Sequence, residues 1–133
     1  RVVRRQRQRC IRDRCTEKGQ ASMSDKLAVI LVSADRKVLE MGLVYTRNAV
    51  QRGWMPEVHL YFFGPSEVTI ATDPDLRALV REVIEAGVTP DACSWCSNKY
   101  GVSAMLEELG CRVLPIGEPV SQAIRDGYTP MTW

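Results

Sequence analysis

"LAVILVS", residues 27–33, is a continuous apolar run containing β-branched Val29, Ile30 and Val32. A half-solvated strand alternates apolar and polar residues, and this stretch does not. It reads as a strand covered on both faces, which is the mark of a parallel sheet. A parallel sheet in turn requires a crossover after each strand.

The flanking sequence supplies those crossovers. In "ADRKVLEMGLVYTRNAVQRG" (34–53), Leu39, Leu43, Thr46 and Val50 recur at helical spacing, with Val38, Met41 and Tyr45 beside them. Asp35 has the chemistry of an N-cap and Gly53 that of a stop. "EVHLYFFG" (57–64) predicts the second strand, ended by Gly64-Pro65. "VTIAT" (68–72) predicts a loop or irregular crossing. Thr72-Asp73-Pro74 opens the next helix, with proline in its first turn, and Leu76, Leu79, Val80, Val83 and Ile84 form its stripe up to Gly87. "VTPDAC" (88–93) predicts a short third strand. "SNKYGVSAMLEELG" (97–110) predicts a helix begun or interrupted near Gly101. "CRVLPIG" (111–117), "EPVSQAIRDG" (118–127) and "YTPMTW" (128–133) predict a strand, a short helix and a closing, edge-type strand. The alternation predicts a three-layer α/β/α sandwich around a mainly parallel five-stranded sheet, of the flavodoxin-like topology class.

Length and composition agree with one domain. The chain has 133 residues, 45% of them apolar, enough for a core without staples. No apolar run approaches the roughly 20 residues that cross a bilayer, and none resembles a secretory signal, so no membrane partner is expected. The predicted compartment is the cytoplasm, where five cysteines stay reduced. The net charge of +2 averages two unlike parts. Residues 1–22 hold eight Lys/Arg against two Asp/Glu, with almost no apolar residues. They are expected to be a basic disordered tail or a misassigned leader ahead of Met23. Nucleic acid is not an expected partner of the remainder, which forms a single domain over residues 23–133.

In open α/β sheets, ligands and chemistry collect at the carboxyl ends of the strands. "DACSWCSNKYGV" (91–102) puts Cys93 at such an end, immediately before a helix. Backbone N–H groups and the helix dipole there favour a thiolate. Ser94, Ser97 and Asn98 are candidate hydrogen-bond donors to it, and Lys99 a candidate positive charge. Ser33 and Asp35, at the end of the first strand, are candidate site-lining residues on the same sheet edge. Trp95 is expected to be half-exposed beside the site, with an interface role.

Four chemistries compete for this stretch. Cys93 and Cys96 have CxxC spacing for a dithiol couple, but no facing cis-proline loop is evident. A structural zinc site takes about four ligands. The pair provides two, and His59 and Cys111 lie elsewhere, so no complete metal site is expected within one chain; one shared across an interface stays open. Packing is the expected role of Cys111, and a satisfied, partly buried position that of His59. The fourth chemistry is a persulfide on a single thiol. No phosphate loop of G-x-x-x-x-G-K-[ST] or G-x-G-x-x-G type occurs. The loop "SADRK" is poor for flavin, and the second strand ends "FFGPS" without the acceptor carboxylate that a receiver domain would need. No organic cofactor is expected.

Residues 26–133 resemble the DsrE/DsrF-like family of sulfur-relay proteins, which includes the TusD type. "KLAVILVS", the helix ending "QRG", "EVHLYFFGPSEVTIA", "VIEAGVTPDACSWCSNKYGV" and "LGCRVLPIG" carry the resemblance. In that family a sulfur-accepting cysteine follows the third strand, with Gly-Val eight residues on. Cys93 and Gly101-Val102 match that pattern. The resemblance implies a persulfide carrier, a form of sulfurtransferase, in which Cys93 takes sulfane sulfur from one protein and passes it to another. Cys96 is the candidate second thiol. It also implies a homo-oligomer, a trimer or hexamer, compatible with apolar surface residues such as Trp54 and Trp133. The alternatives are a non-catalytic interaction subunit and a dithiol oxidoreductase using both cysteines.

Overall fold

The computed structural model describes residues 24–133; the basic segment 1–22, with Cys10 and Cys15, and Met23 lie outside the described residues. Five strands and six helices alternate along it: β1 (Lys26–Leu31), α1 (Arg36–Gln51), β2 (Glu57–Phe62), α2 (Pro65–Thr72), α3 (Pro74–Glu85), β3 (Asp91–Cys93), α4 (Ser94–Tyr100), α5 (Ser103–Leu109), β4 (Arg112–Leu114), α6 (Gly117–Arg125) and β5 (Thr129–Thr132). Every pairing is parallel, in the order β4-β3-β2-β1-β5. The expected sandwich and parallel sheet are present. The order itself is not the 2-1-3-4-5 of flavodoxin-like sheets. From β1 to β4 the chain steps in one direction, and β5 then returns to the far side of β1. No helix among the described residues is long and apolar enough to cross a membrane.

That order dictates how the layers fill. Right-handed crossovers between strands that step one way put their helices on one face. Accordingly Leu39 and Leu43 of α1, Ile70 of α2, Leu76 and Val80 of α3 and Leu106 of α5 pack with Leu27, Val29, Leu31, Leu60 and Phe62 in one large cluster. The return crossover from β4 to β5 runs in the opposite direction, so α6 takes the other face. There Val120 joins Ala28, Tyr61, Cys93, Cys96 and Ile116 in a smaller cluster. The connections leaving neighbouring β3 and β4 therefore diverge to opposite faces, α5 to one and α6 to the other. This divergence is the topological switch point at which open sheets bind ligands, and Cys93, paired in register with Leu114, stands on it.

Local contacts anchor these elements. The Asp35 carboxylate accepts hydrogen bonds from the Lys37 and Val38 backbone N–H groups at 2.8 and 3.1 Å, capping α1 as expected. Asp73 caps α3 in the same way through Asp75 and Leu76, and also receives the Arg36 guanidinium at 2.7 Å. Arg112 donates to both carboxylate oxygens of Asp91, at 2.7 and 3.0 Å, and holds β3 and β4 in register from their first residues. Gly42 lets α1 approach the sheet closely: a Cβ there would lie 2.6 Å from Leu31 Cδ2 and 3.3 Å from the Trp133 ring.

Further expectations change. Residues 68–72 are helical, part of α2. Pro65 occupies the first turn, where its missing N–H costs nothing, and Ile70 and Ala71 are buried. The face that packs drives the helix, and a burial pattern spread over only eight residues carries little periodic signal. His59 is exposed rather than partly buried. It lies near the amino end of β2 and stacks on Tyr128 at 4.4 Å between ring centroids.

Candidate functional site

The CxxC spacing acquires its meaning from where the helix starts. Cys93 is the N-cap of α4 and Cys96 is at its third helical position. An N-cap side chain and the residue three positions on face each other across the first turn, the relation used by capping boxes. Here both positions carry sulfur, and the Cys93 side chain makes no capping hydrogen bond. Cys93 and Cys96 are 8% and 9% exposed, close to the surface but covered.

A third group meets them from another segment. Glu67, in the first turn of α2, is fully buried. One of its carboxylate oxygens and the sulfurs of Cys93 and Cys96 all lie within 4.8 Å of one another. The turn that aims it begins at Gly64, whose φ of +56° is a left-handed value that favours glycine. Buried Ser66 then pins the helix start: its Oγ lies 2.7 Å from the carbonyl oxygens of Leu31 and of Phe63, and its N–H donates to Val32.

The electrostatics of the cluster follow from burial. Desolvation pushes the Glu67 carboxyl up to about 8, opposed weakly by the nearby Cys93 backbone N–H. Neither of its oxygens makes a hydrogen bond of full geometry among the described residues. Burial likewise raises the Cys96 thiol; the Gly64 N–H acts in the opposite direction, while Cys93 and Glu67 add to the rise.

The remaining candidates make contacts of their own. Ser33 Oγ accepts from the Asp35 N–H at 3.0 Å, and the Asp35 carboxylate is engaged in capping α1. Asn98 Oδ1 accepts from the Ser103 hydroxyl, which also lies 2.7 Å from Ser97 Oγ; this chain of contacts ties α4 to α5. The Ser94 carbonyl accepts from Ser97. Lys99 Nζ sits 5.1 Å from the Trp95 ring centroid rather than against a sulfur. Trp95 is 69% exposed, more than expected. Cys111 packs in the main cluster, and burial pushes its thiol up to about 12.

Glu67 is the residue that the sequence reading did not single out. Its signal was "GPSE" directly after a strand, which places an acid in the first turn of a helix on the sheet edge that holds Cys93. Reading residues 68–72 as a loop concealed it.

A cavity of about 720 Å³ opens elsewhere, lined by Glu57, His59, Tyr61, Asp91, Arg112 and Tyr128 among others. It lies at the amino ends of the strands and contains none of the cysteines. Its polar groups are already engaged: Asp91 with Arg112, and Tyr128 donating to Glu57 at 2.8 Å. The thiol cluster, at the switch point and with an unpartnered acid, is the better candidate site.

No protein-family model and no curated protein matches the chain. Among solved structures it is similar to BT1422, a conserved protein of unknown function from Bacteroides thetaiotaomicron. That match has a TM-score of 0.76 and 27% identity, covering 82% of this chain and 95% of the other. It is also similar to the ychN protein from E. coli, with a TM-score of 0.69 and 14% identity, covering 84% of this chain and all of the other. The second likeness is one of fold alone. The match spans both neighbours nearly end to end.

Proposed function

We propose that this protein is a sulfur-relay protein that carries sulfane sulfur as a persulfide on Cys93 and passes it to a protein partner. The observation that carries this reading is the convergence, at the switch point of the sheet, of the Cys93 sulfur with a second sulfur and a carboxyl group within 4.8 Å. The sequence resemblance to the DsrE/DsrF-like family supports the same chemistry.

The transfer is a simple exchange. The Cys93 thiolate attacks the outer sulfur of a donor persulfide; the new Cys93 S–S bond forms as the donor's own S–S bond breaks, and the donor leaves as a thiol. The proton lost by Cys93 ends on the departing thiolate, and Glu67 is the adjacent group able to carry it. No net oxidation occurs. A partner's thiolate then repeats the attack on the outer sulfur and regenerates Cys93. Because Cys93 is largely covered, the partner must come to it, and exposed Trp95 in the first turn of α4 offers an apolar anchor for that approach.

The same reading includes a cytoplasmic protein with reduced thiols and a homo-oligomer, a trimer or hexamer. Exposed Met41, Trp54 and Ile124 supply apolar surface for assembly. The proximity of the two sulfurs favours a second reading, a dithiol oxidoreductase. In it Cys93 and Cys96 give two electrons and two protons to a partner's disulfide and become a disulfide themselves.

Intact and peptide mass spectrometry after incubation with a sulfane-sulfur donor separates these. A persulfide on Cys93 that survives Cys96→Ser and disappears in Cys93→Ser supports the relay. A Cys93–Cys96 disulfide without retained sulfur supports the oxidoreductase. Two unreactive thiols reject both and leave an interaction subunit.

A further inference from the structure

The thiol cluster contains a buried acid. Glu67 is fully buried, and neither carboxylate oxygen makes a hydrogen bond of full geometry among the described residues. Buried polar groups without partners are rare because desolvating them is costly. Around this one stand the Cys93 backbone N–H, which makes no hydrogen bond of full geometry to it, and two sulfurs within 4.8 Å. A proton on Glu67 neutralises its charge, but the resulting O–H then needs an acceptor, and thiol sulfur is a weak one. A metal cation satisfies all three groups together.

We propose that Glu67, Cys93 and Cys96 form a three-ligand site for a borderline-soft divalent cation of the zinc class, with the fourth coordination position open. The donor set selects the metal. Thiolates favour zinc-type ions over magnesium or calcium, and a carboxylate is an accepted companion ligand. The geometry is close to what is required. Bonds of about 2.3 Å to sulfur and 2.0–2.2 Å to oxygen put tetrahedral ligands roughly 3.5–3.8 Å apart. The three ligand atoms already lie within 4.8 Å of one another, so side-chain rotation of about 1 Å closes the site. Binding transfers no electrons: the thiol protons, and that of Glu67 when it carries one, leave to solvent as the metal bonds form.

Three protein ligands and an open position describe a site that accepts an exogenous ligand, rather than a closed structural site. CxxC spacing alone supplied two ligands in the sequence; the third comes from α2. This inference rests on the geometry and not on the relay reading. Metal and persulfide compete for the Cys93 sulfur, so a bound cation would mask the carrier thiol until it is removed.

The test is anaerobic titration of the reduced, chelator-stripped full chain with Co2+ and then Zn2+, followed by absorption. A Cys10→Ser/Cys15→Ser variant serves as the reference, because those thiols are themselves able to bind metal. The expected result is one Co2+ per chain in the reference, with tetrahedral d–d bands and thiolate charge transfer, displaced by Zn2+. In the same background, Cys93→Ser and Cys96→Ser each lose about half of the charge-transfer intensity, and Glu67→Gln weakens binding at least about tenfold. In the unmutated chain, Zn2+ protects Cys93 and Cys96 from alkylation, a readout that needs no variant. The proposal is overturned by no Co2+ binding in the folded reference. Undiminished charge transfer in either cysteine variant, equal affinity in Glu67→Gln, or no protection by Zn2+ overturns it as well. Persulfide loading measured in chelator is independent of all four outcomes, so the two readings stand or fall separately.

Discussion

The Glu67 carboxyl and the Cys93 sulfur lie within 4.8 Å of each other, although one belongs to the helix after β2 and the other to the end of β3. Their meeting makes the site acidic and buried, and this has a consequence for stability. Burial raises Glu67 from an ordinary 4.5 to about 8. In the metal-free protein the folded chain thus keeps a proton that the unfolded chain has already released. Stability from this group is complete below about pH 4.5 and is lost as pH rises through about 8, by a few kcal/mol. Urea unfolding in chelator from pH 5 to 9 measures it. Glu67→Gln is expected to remove this component of the slope; an identical slope in the variant contradicts the assignment.

Cys111 is expected to be the inert thiol. Its pKa is pushed up to about 12 by burial, with smaller contributions from Glu67 and Asp91. In a background with the other cysteines replaced, alkylation of Cys111 at pH 8 should be at least about a hundredfold slower in the native state than in urea. Equal rates would mean that Cys111 is exposed and ionisable.

Gly42→Ala tests the close approach of α1 to the sheet. Alanine gains up to about 1 kcal/mol of helix propensity, but its Cβ meets Leu31 Cδ2 at 2.6 Å and the Trp133 ring at 3.3 Å. Leu31 is fully buried and has little room to yield. A net loss of about 1–2 kcal/mol is expected by thermal or urea unfolding; a stabilised variant would show that the C-terminal strand relaxes freely.

Asp35→Ala distinguishes a cap from a site residue. Loss of the two hydrogen bonds to Lys37 and Val38 should cost about 1 kcal/mol. Persulfide loading of Cys93 should be unchanged at temperatures where the variant remains folded. Reduced loading in folded protein would assign Asp35 to the chemistry instead.

Much of the architecture was legible because its signals are local. The uninterrupted apolar run at β1, the helical stripe from Leu39 to Val50 and the turn residues between elements each need only a few neighbours to be read. Residues 68–72 were different. A helix of eight residues is too short to display periodicity, and it forms because Ile70 and Ala71 find a core made by other segments. His59 failed for a related reason: alternation put it with Tyr61 on one face, but a cavity, lined also by Gln122 and Ala123 of α6, opens over that face at the strand's amino end.

The candidate site divides along the same line. Cys93 and Cys96 were readable as a pair, since their spacing and the helix start between them lie within a single turn of chain. Local sequence likewise sufficed for the parallel α/β class and for the cap at Asp35. For Glu67 the sequence carried only the local signal of an acid just after β2; its meeting with the thiols depends on the order β4-β3-β2-β1-β5 setting the end of β2 beside the end of β3. A strand order is a sum of many weak long-range preferences, and no short motif encodes it. Hence the chain announces its thiols in sequence, while the burial of the acid beside them is decided by packing.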